Sequence, residues 1–255
     1  MMNYGLITGA SSGIGKAIAL RMASKKIPLL LVGRQHSLIP IQEAIGQAGG
    51  VAEIFDADLV KHEHWKSELS KNIASKNGAQ WSVVLAASIL GSPREECELS
   101  NYNHVFNTNV VGNLAVLEAC LPQMTQTQFG RIVFFAGGGA AYAYPEFPAY
   151  ALSKVSTVRL TENLAAIYPP STGLSFVCLA PGAVDTPMLA KVIAAGGEVK
   201  TKTNIEEPVN FVEEYCNSNS NILSGRYIHV RDNWKDYLSG SKQVIQDQFF
   251  LRRIQ

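Results

Sequence analysis

The run Leu6-Ile7-Thr8-Gly9-Ala10-Ser11-Ser12-Gly13-Ile14-Gly15 constrains this chain more than any other stretch. An apolar segment enters a loop of small residues, which opens into the helix-compatible Lys16-Ala17-Ile18-Ala19-Leu20. That order suits an anion cradle. Gly9 takes a tight turn without a Cβ penalty, Gly13 lets backbone approach a pyrophosphate, and Gly15 lets the helix pack close to its strand. The free N–H groups and positive dipole end of the helix then face the anion. The spacing of Gly9, Gly13 and Gly15 differs from the GxGxxG dinucleotide fingerprint. On the residues alone, the segment reads as an anion-binding strand–turn–helix, with a plain surface turn as the alternative.

Downstream, short apolar runs alternate with helix-compatible segments. Strands are expected at 3–8, 28–33, 51–55, 81–86, 131–135, 174–179 and 224–230. Helices are expected at 16–25, 37–48, 62–76, 101–123, 150–168 and 207–216. Pro28 fits only the start of its strand, and Gly49-Gly50 suit a helix end and turn. The strands are near-continuous in hydrophobicity rather than alternating, which argues for a parallel sheet covered on both faces. The fold class is therefore α/β, a doubly wound parallel sheet with helices on both faces. Residues 183–206, with Gly196-Gly197, lack a strong period and read as a flap. Residues 1–233 are expected to form one domain. Residues 234–255 form a C-terminal extension, polar until Phe249-Phe250-Leu251, expected to pack on the body or a neighbouring subunit.

A net charge of +1 gives no electrostatic case for nucleic acid. Cys97, Cys120, Cys178 and Cys216 lack paired spacing, so no metal site is expected. The apolar stretch Ile27 to Val32 is too short to span a membrane. The glycine loop begins by residue 9, which leaves no length for a signal peptide, and a cytoplasmic location is expected.

Tyr150 and Lys154 stand one helical turn apart and share a face. An ammonium near a phenol favours the phenolate, bringing the tyrosine toward an acid/base range. Such a pair is also common in ordinary amphipathic helices, but this one follows a strand, a glycine-rich turn at 137–139 and an aromatic loop holding Tyr142, Tyr144 and Phe147. Loops of this kind lie outside the carboxyl ends of strands, where open α/β sheets bind ligands.

Taken together, the chain to about residue 230 resembles the classical short-chain dehydrogenases/reductases. Thr8 to Gly15 matches the family's TGxxxGxG, Tyr150-Ala151-Leu152-Ser153-Lys154 matches YxxxK, and Pro181-Gly182-Ala183-Val184-Asp185-Thr186 matches PGxxxT. Asn109 falls at the family's active-site asparagine.

The resemblance implies a single Rossmann-fold domain acting as an oxidoreductase between a nicotinamide and a ketone or secondary alcohol. Tyr150 would be the proton donor or base, and Lys154 would lower its pKa and bind the nicotinamide ribose. Asn109 would act through a local helix irregularity. Cofactor contacts would come from Gly9, Ser11, Ser12, Gly13, Ile14, Gly15, Arg34, Asp58, Leu59, Ala86, Tyr150, Lys154, Pro181, Gly182, Val184 and Thr186. Asp58 also reads as a helix cap, and Thr186 as an N-cap before Pro187. Gly33-Arg34 stands where an acidic residue would favour NAD, so NADP is expected ahead of NAD.

Two departures fall at the site. The family's catalytic serine position is Gly137 here, with Tyr142, Tyr144 or backbone N–H groups as possible replacements. The family's NNAG is Leu85-Ala86-Ala87-Ser88, which removes two structural amides. A nucleotide-binding protein with little redox turnover, in a sensor or regulatory role, is the alternative reading. The partners expected are a small carbonyl or alcohol substrate and further copies of the chain, as a homodimer or homotetramer, with no nucleic acid and no membrane.

Overall fold

The computed structural model describes residues 3–94, 98–199, 201–243 and 248–250. Cys97 and the end of the tail, Leu251 included, lie outside the described residues.

The first half of the chain runs β1 (Asn3–Thr8), α1 (Gly13–Ser24), β2 (Leu29–Gly33), α2 (Gln35–Gln47), β3 (Ala52–Asp56), α3 (His62–Ser75) and β4 (Gln80–Leu85). Then come α4 (Leu99–Phe106), α5 (Asn113–Thr127), β5 (Gly130–Phe135), α6 (Pro148–Ile167) and β6 (Leu174–Ala180). The last part holds β7 (Ala183–Val184), α7 (Pro187–Ala194), β8 (Lys202–Thr203), α8 (Glu206–Asn217), β9 (Arg226–His229) and α9 (Trp234–Leu238).

Seven strands form one sheet in the order β3-β2-β1-β4-β5-β6-β9, every neighbouring pair parallel. Parallel neighbours need crossovers, and the helices supply them on both sides. Alternation along each strand divides the apolar residues between the two faces. Leu30, Val32, Ile132 and Phe134 pack with Trp65 and Leu69 of α3, Val116 and Met124 of α5, and Val158 of α6. Leu29, Leu31, Val133 and Phe135 face Ile18 and Met22 of α1, Ile41 of α2 and Phe211 of α8. Burial on both faces is why the strands read as unbroken apolar runs. The structure is a single Rossmann-type α/β domain.

The chain order reverses direction between β1 and β4, which opens a crevice at their carboxyl ends. Both bordering loops, after β1 and after β4, end there.

The helix expected at 101–123 is interrupted at Asn109, where a local irregularity was expected, by a π-helical turn at Asn107–Gly112 that separates α4 from α5. Asn113 Nδ2 donates to the Asn109 carbonyl at 3.0 Å, so a side chain bonds a carbonyl beside the altered ladder. One sequence expectation needs correction: the 183–206 segment is not aperiodic, since it holds α7 between the paired strands β7 and β8. Pro187 at the first helical position and the Thr186 cap were the start signals for α7.

Candidate active site

The glycine loop is shaped by close approaches. Gly9 has φ +71°, and a Cβ there would lie 2.6 Å from Ala87 N. A Cβ on Gly15 would lie 2.3 Å from the Gly9 carbonyl oxygen, so α1 starts directly against the loop it follows. Gly13, with φ +54°, leaves space for Thr186, whose Cγ2 would sit 3.2 Å from an added Cβ. Ser12 at the N-cap makes no side-chain cap bond, so the first turn of α1 keeps donors for a ligand.

Across the crevice, Thr8 Oγ1 accepts from Ala87 N at 3.1 Å and donates to Asn113 Oδ1 at 2.8 Å. Asn113 Nδ2 donates to the Ala87 carbonyl at 2.9 Å. Asn109 holds the next residue but one: its Oδ1 accepts from Ile89 N at 2.8 Å and its Nδ2 donates to Ile89 O at 2.9 Å. Amides reaching in from the π turn and α5 therefore hold the β4 loop.

Asn109 Nδ2 also donates to Ser153 Oγ at 3.0 Å, and Ser153 Oγ donates to the Tyr150 carbonyl at 2.7 Å. These bonds fix α6 against the π turn and set where Tyr150 and Lys154 project. Lys154, 3% exposed, donates from Nζ to the Phe135 carbonyl at 2.9 Å, with Nζ 5.3 Å from the Tyr150 ring centre.

Burial lowers the Lys154 ammonium to about 8. Tyr150, 8% exposed, has its phenol pushed up by burial, with Tyr144 and Tyr227 adding to the rise. The expected lowering of the tyrosine by the lysine is thus not met in this arrangement. The ammonium points at a backbone carbonyl, and desolvation governs the phenol.

Gly137 follows β5 with an extended backbone (φ −171°) that any residue could adopt. What constrains it is Tyr150, whose hydroxyl would lie 2.6 Å from a Cβ at position 137. Tyr144 packs its ring 6.1 Å from that of Tyr150, whereas Tyr142 is 80% exposed. Leu90, Phe147, Tyr144, Met188 and Val192 surround Tyr150, so α7 closes an apolar wall over it.

One cleft of about 780 Å³ joins all of this, a volume typical of ligand sites. Its lining includes Gly9, Ser11, Ser12, Gly13, Ile14, Gly15, Arg34, Asp58, Leu59, Ala86, Gly137, Tyr150, Lys154, Pro181, Gly182, Val184 and Thr186. Every expected cofactor residue is thus brought to a single groove. Asn109 is not in its lining and is 3% exposed, and its amide bonds Ile89 and Ser153.

Asp58 and Thr186 also act as the caps that were their plainer readings. Asp58 Oδ1 accepts from Val60 N at 3.1 Å, and Thr186 Oγ1 accepts from Leu189 N at 3.3 Å.

A short-chain dehydrogenase family model matches residues 4–196. The chain belongs to the short-chain dehydrogenase family. Within it, a short-chain dehydrogenase/reductase of Armillaria gallica is 32% identical over 190 residues, covering 72% of this chain and 71% of that protein. Glucose 1-dehydrogenase of Gluconobacter oxydans is 28% identical over 186 residues, covering 72% and 70%. Among solved structures, a protein from Beutenbergia cavernae assigned as an NAD(P)-dependent gluconate 5-dehydrogenase, with bound NADP, superposes with a TM-score of 0.81. It is 26% identical, with 92% of this chain and 96% of that one covered.

The short-chain dehydrogenase site here draws on residues that the sequence did not single out. Tyr227 and His229 reach the cleft from one face of β9, and Arg231 joins them just beyond it. The three follow a spacing of two, the only signal available, and the run is too short to stand out. Arg231 also latches the flap: its guanidinium donates to Thr201 Oγ1 at 3.0 Å, Lys202 O at 3.1 Å and Thr203 Oγ1 at 3.3 Å. Ser88 Oγ is buried in the cleft lining with no protein partner among the described residues.

Proposed function

We propose that this chain is an NADP(H)-dependent oxidoreductase that transfers a hydride between nicotinamide and a ketone or secondary alcohol. The observation that carries this reading is the single cleft with the α1 cradle and Arg34 at one end and Tyr150 with Lys154 at the other. The fit to a dinucleotide rests on the glycine approaches, the open first turn of α1 and the orphaned Ser88 hydroxyl.

A nicotinamide bound there would supply the hydride. The chain's residues do the rest. α1 and Gly13 would hold the pyrophosphate, Arg34 would pair with the 2′-phosphate, and Pro181 to Thr186 would border the nicotinamide side. Tyr150, protonated because it is buried, donates its phenolic proton to the developing alkoxide. Lys154, its ammonium lowered by burial to about 8, would hold the proton that restores it. The apolar wall of α7 keeps water from the reacting carbonyl.

The described part of the extension, 234–243 and 248–250, is read as a strap on the body. Phe249 O accepts from Tyr227 N at 2.8 Å. The working assembly is a homodimer or homotetramer in the cytoplasm.

A second reading, dinucleotide binding with little turnover, is favoured by Gly137 and the raised phenol. Fluorescence titration with NADPH and NADH, followed by NADPH oxidation across a carbonyl panel, separates the two. Oxidation with at least one ketone is expected. Tight NADPH binding with none transfers the proposal to the second reading. Arg34→Ala should weaken NADPH about tenfold or more relative to NADH. An unchanged ratio rejects the NADP assignment.

A further inference from the structure

β9 and the turn after it bring three hydrogen-bond donors to the cleft. Register sets Tyr227 beside Cys178 and His229 beside Ala180. Tyr227 packs against the cluster that holds Cys178, Phe134 and Val158 of α6, while Ile228 and Val230 belong to the opposite layer. Alternation thus puts Tyr227 and His229 on the face that carries Tyr150. Arg231 follows just past the strand, and all four residues line one cleft.

The Tyr227 phenol, pushed up to about 12 by burial, keeps its proton at neutral pH. His229 Nδ1 accepts from Arg231 N at 3.2 Å, which leaves the ring proton on Nε2. Arg231 uses three of its five N–H groups on Thr201 Oγ1, Lys202 O and Thr203 Oγ1, all uncharged. Two remain, and the guanidinium has no ion-pair partner among the described residues. Asp232, the acid of the same turn, accepts from His229 N at 2.7 Å and lies outside the lining. Glu198 lines the cleft from the segment before β8 without pairing with Arg231. The wall around Tyr150 has the opposite character: Leu90, Phe147 and Val192 are buried there, with Met188 packed against them. β5, which ends beside Gly137 and the Tyr150 hydroxyl, is separated from β9 by β6 alone, so about 10 Å lies between the two strands.

We infer that the site takes an oxo acid, or the matching hydroxy acid, whose carboxylate sits on His229 and Arg231 while its ketone, several bonds away, meets Tyr150. This names a substrate class for the hydride-transfer reading given above and rests on it. A carboxylate offers acceptors only, which suits a side of the cleft built from donors. Bonds from a guanidinium to an ionised acceptor are also the strong ones, and a neutral ketone leaves that charge unmatched.

Levulinate and γ-acetylbutyrate, each beside its methyl ester, test this by NADPH oxidation with wild type and Arg231→Gln. Gln keeps an amide N–H for the flap and removes the charge. Wild type should show kcat/KM about tenfold or more higher for one acid than for its ester, carried mainly by KM. Arg231→Gln should lower that acid about tenfold or more and leave the ester within about threefold, and Arg231→Lys should restore part of the preference. An ester that equals its acid overturns the inference. So does a fall of acid and ester together in Arg231→Gln, which assigns Arg231 to the flap alone. Ligand-observed NMR titration of the same pairs, with and without NADPH, reads the site apart from turnover. Wild type should bind an acid about fivefold or more tighter than its ester, and Arg231→Gln should bring the two within about twofold. No preference in wild type, or one that survives Arg231→Gln, overturns the inference. Failure of the hydride-transfer reading looks different: no ketone of the panel oxidises NADPH, while the acid is still held over its ester.

Discussion

Replacing Lys154 with Met tests the electrostatics of the site without any substrate. The wild-type ammonium is buried and held by one carbonyl, which lowers it from 10.5 to about 8. At about 1.4 kcal/mol per pH unit, this amounts to about 3 kcal/mol of differential stability. The sign follows from which state keeps its proton. Below pH 8 the lysine is charged in folded and unfolded chains alike, and the full penalty of the buried charge is present. Between about 8 and 10.5 the folded chain has released the proton while the unfolded chain holds it, so wild type gains stability as pH rises. Above 10.5 both forms are neutral and the penalty has gone. Met fills a similar volume without charge, and it leaves the Phe135 carbonyl unpaired at a pH-independent cost of about 1–3 kcal/mol. The stability of Lys154→Met minus that of wild type should therefore fall by about 3 kcal/mol between pH 7.5 and 10.5. Urea unfolding of both cofactor-free proteins across that range reads it directly. A flat difference, or one that grows with pH, refutes the claim that desolvation governs Lys154.

Gly137→Ala adds only a Cβ, which must push the Tyr150 hydroxyl away by roughly half an ångström or more. With any ketone that wild type reduces, kcat should drop about tenfold or more while NADPH affinity holds. Wild-type kcat would refute the close approach of position 137 to the Tyr150 hydroxyl. Arg231→Ala removes the three bonds that latch the flap, so limited proteolysis within 183–206 should accelerate several-fold, and an unchanged cleavage pattern counts against the latch. Ending the chain after Ser239 strips Phe249 and Phe250 from β9, one of the sheet's two edge strands. The thermal midpoint should fall and self-association should rise in size-exclusion with light scattering, whereas an unchanged monomer-to-oligomer balance rejects the strap as an edge guard.

Much of this protein could be read locally. The order of apolar runs and helix signals reflects burial on both faces of a parallel sheet, and that pattern is written in consecutive residues. The same holds for the glycine loop, where the missing Cβ atoms are a property of the chain itself. Other features were not local. The break at Asn107–Gly112 depends on Asn113 bonding the Asn109 carbonyl and on the tight contact of Gly112 with Leu59, a packing constraint that no periodicity shows. The amides serving the β4 loop come from the π turn and α5, 20 and 26 residues after the groups they bond.

What sequence alone determined was the α/β class, a small-residue turn opening into a helix, and the placing of Tyr150 and Lys154 on one helix face, because each follows from spacing along one strand or one helix. The fold decided the protonation of that pair, the cap that Asp56 lends to α2, and the entry of Tyr227, His229 and Arg231 into the cleft. Those properties arise from burial and from neighbours brought in by other strands. A residue's charge state and its partners are set by surroundings that chain order does not list.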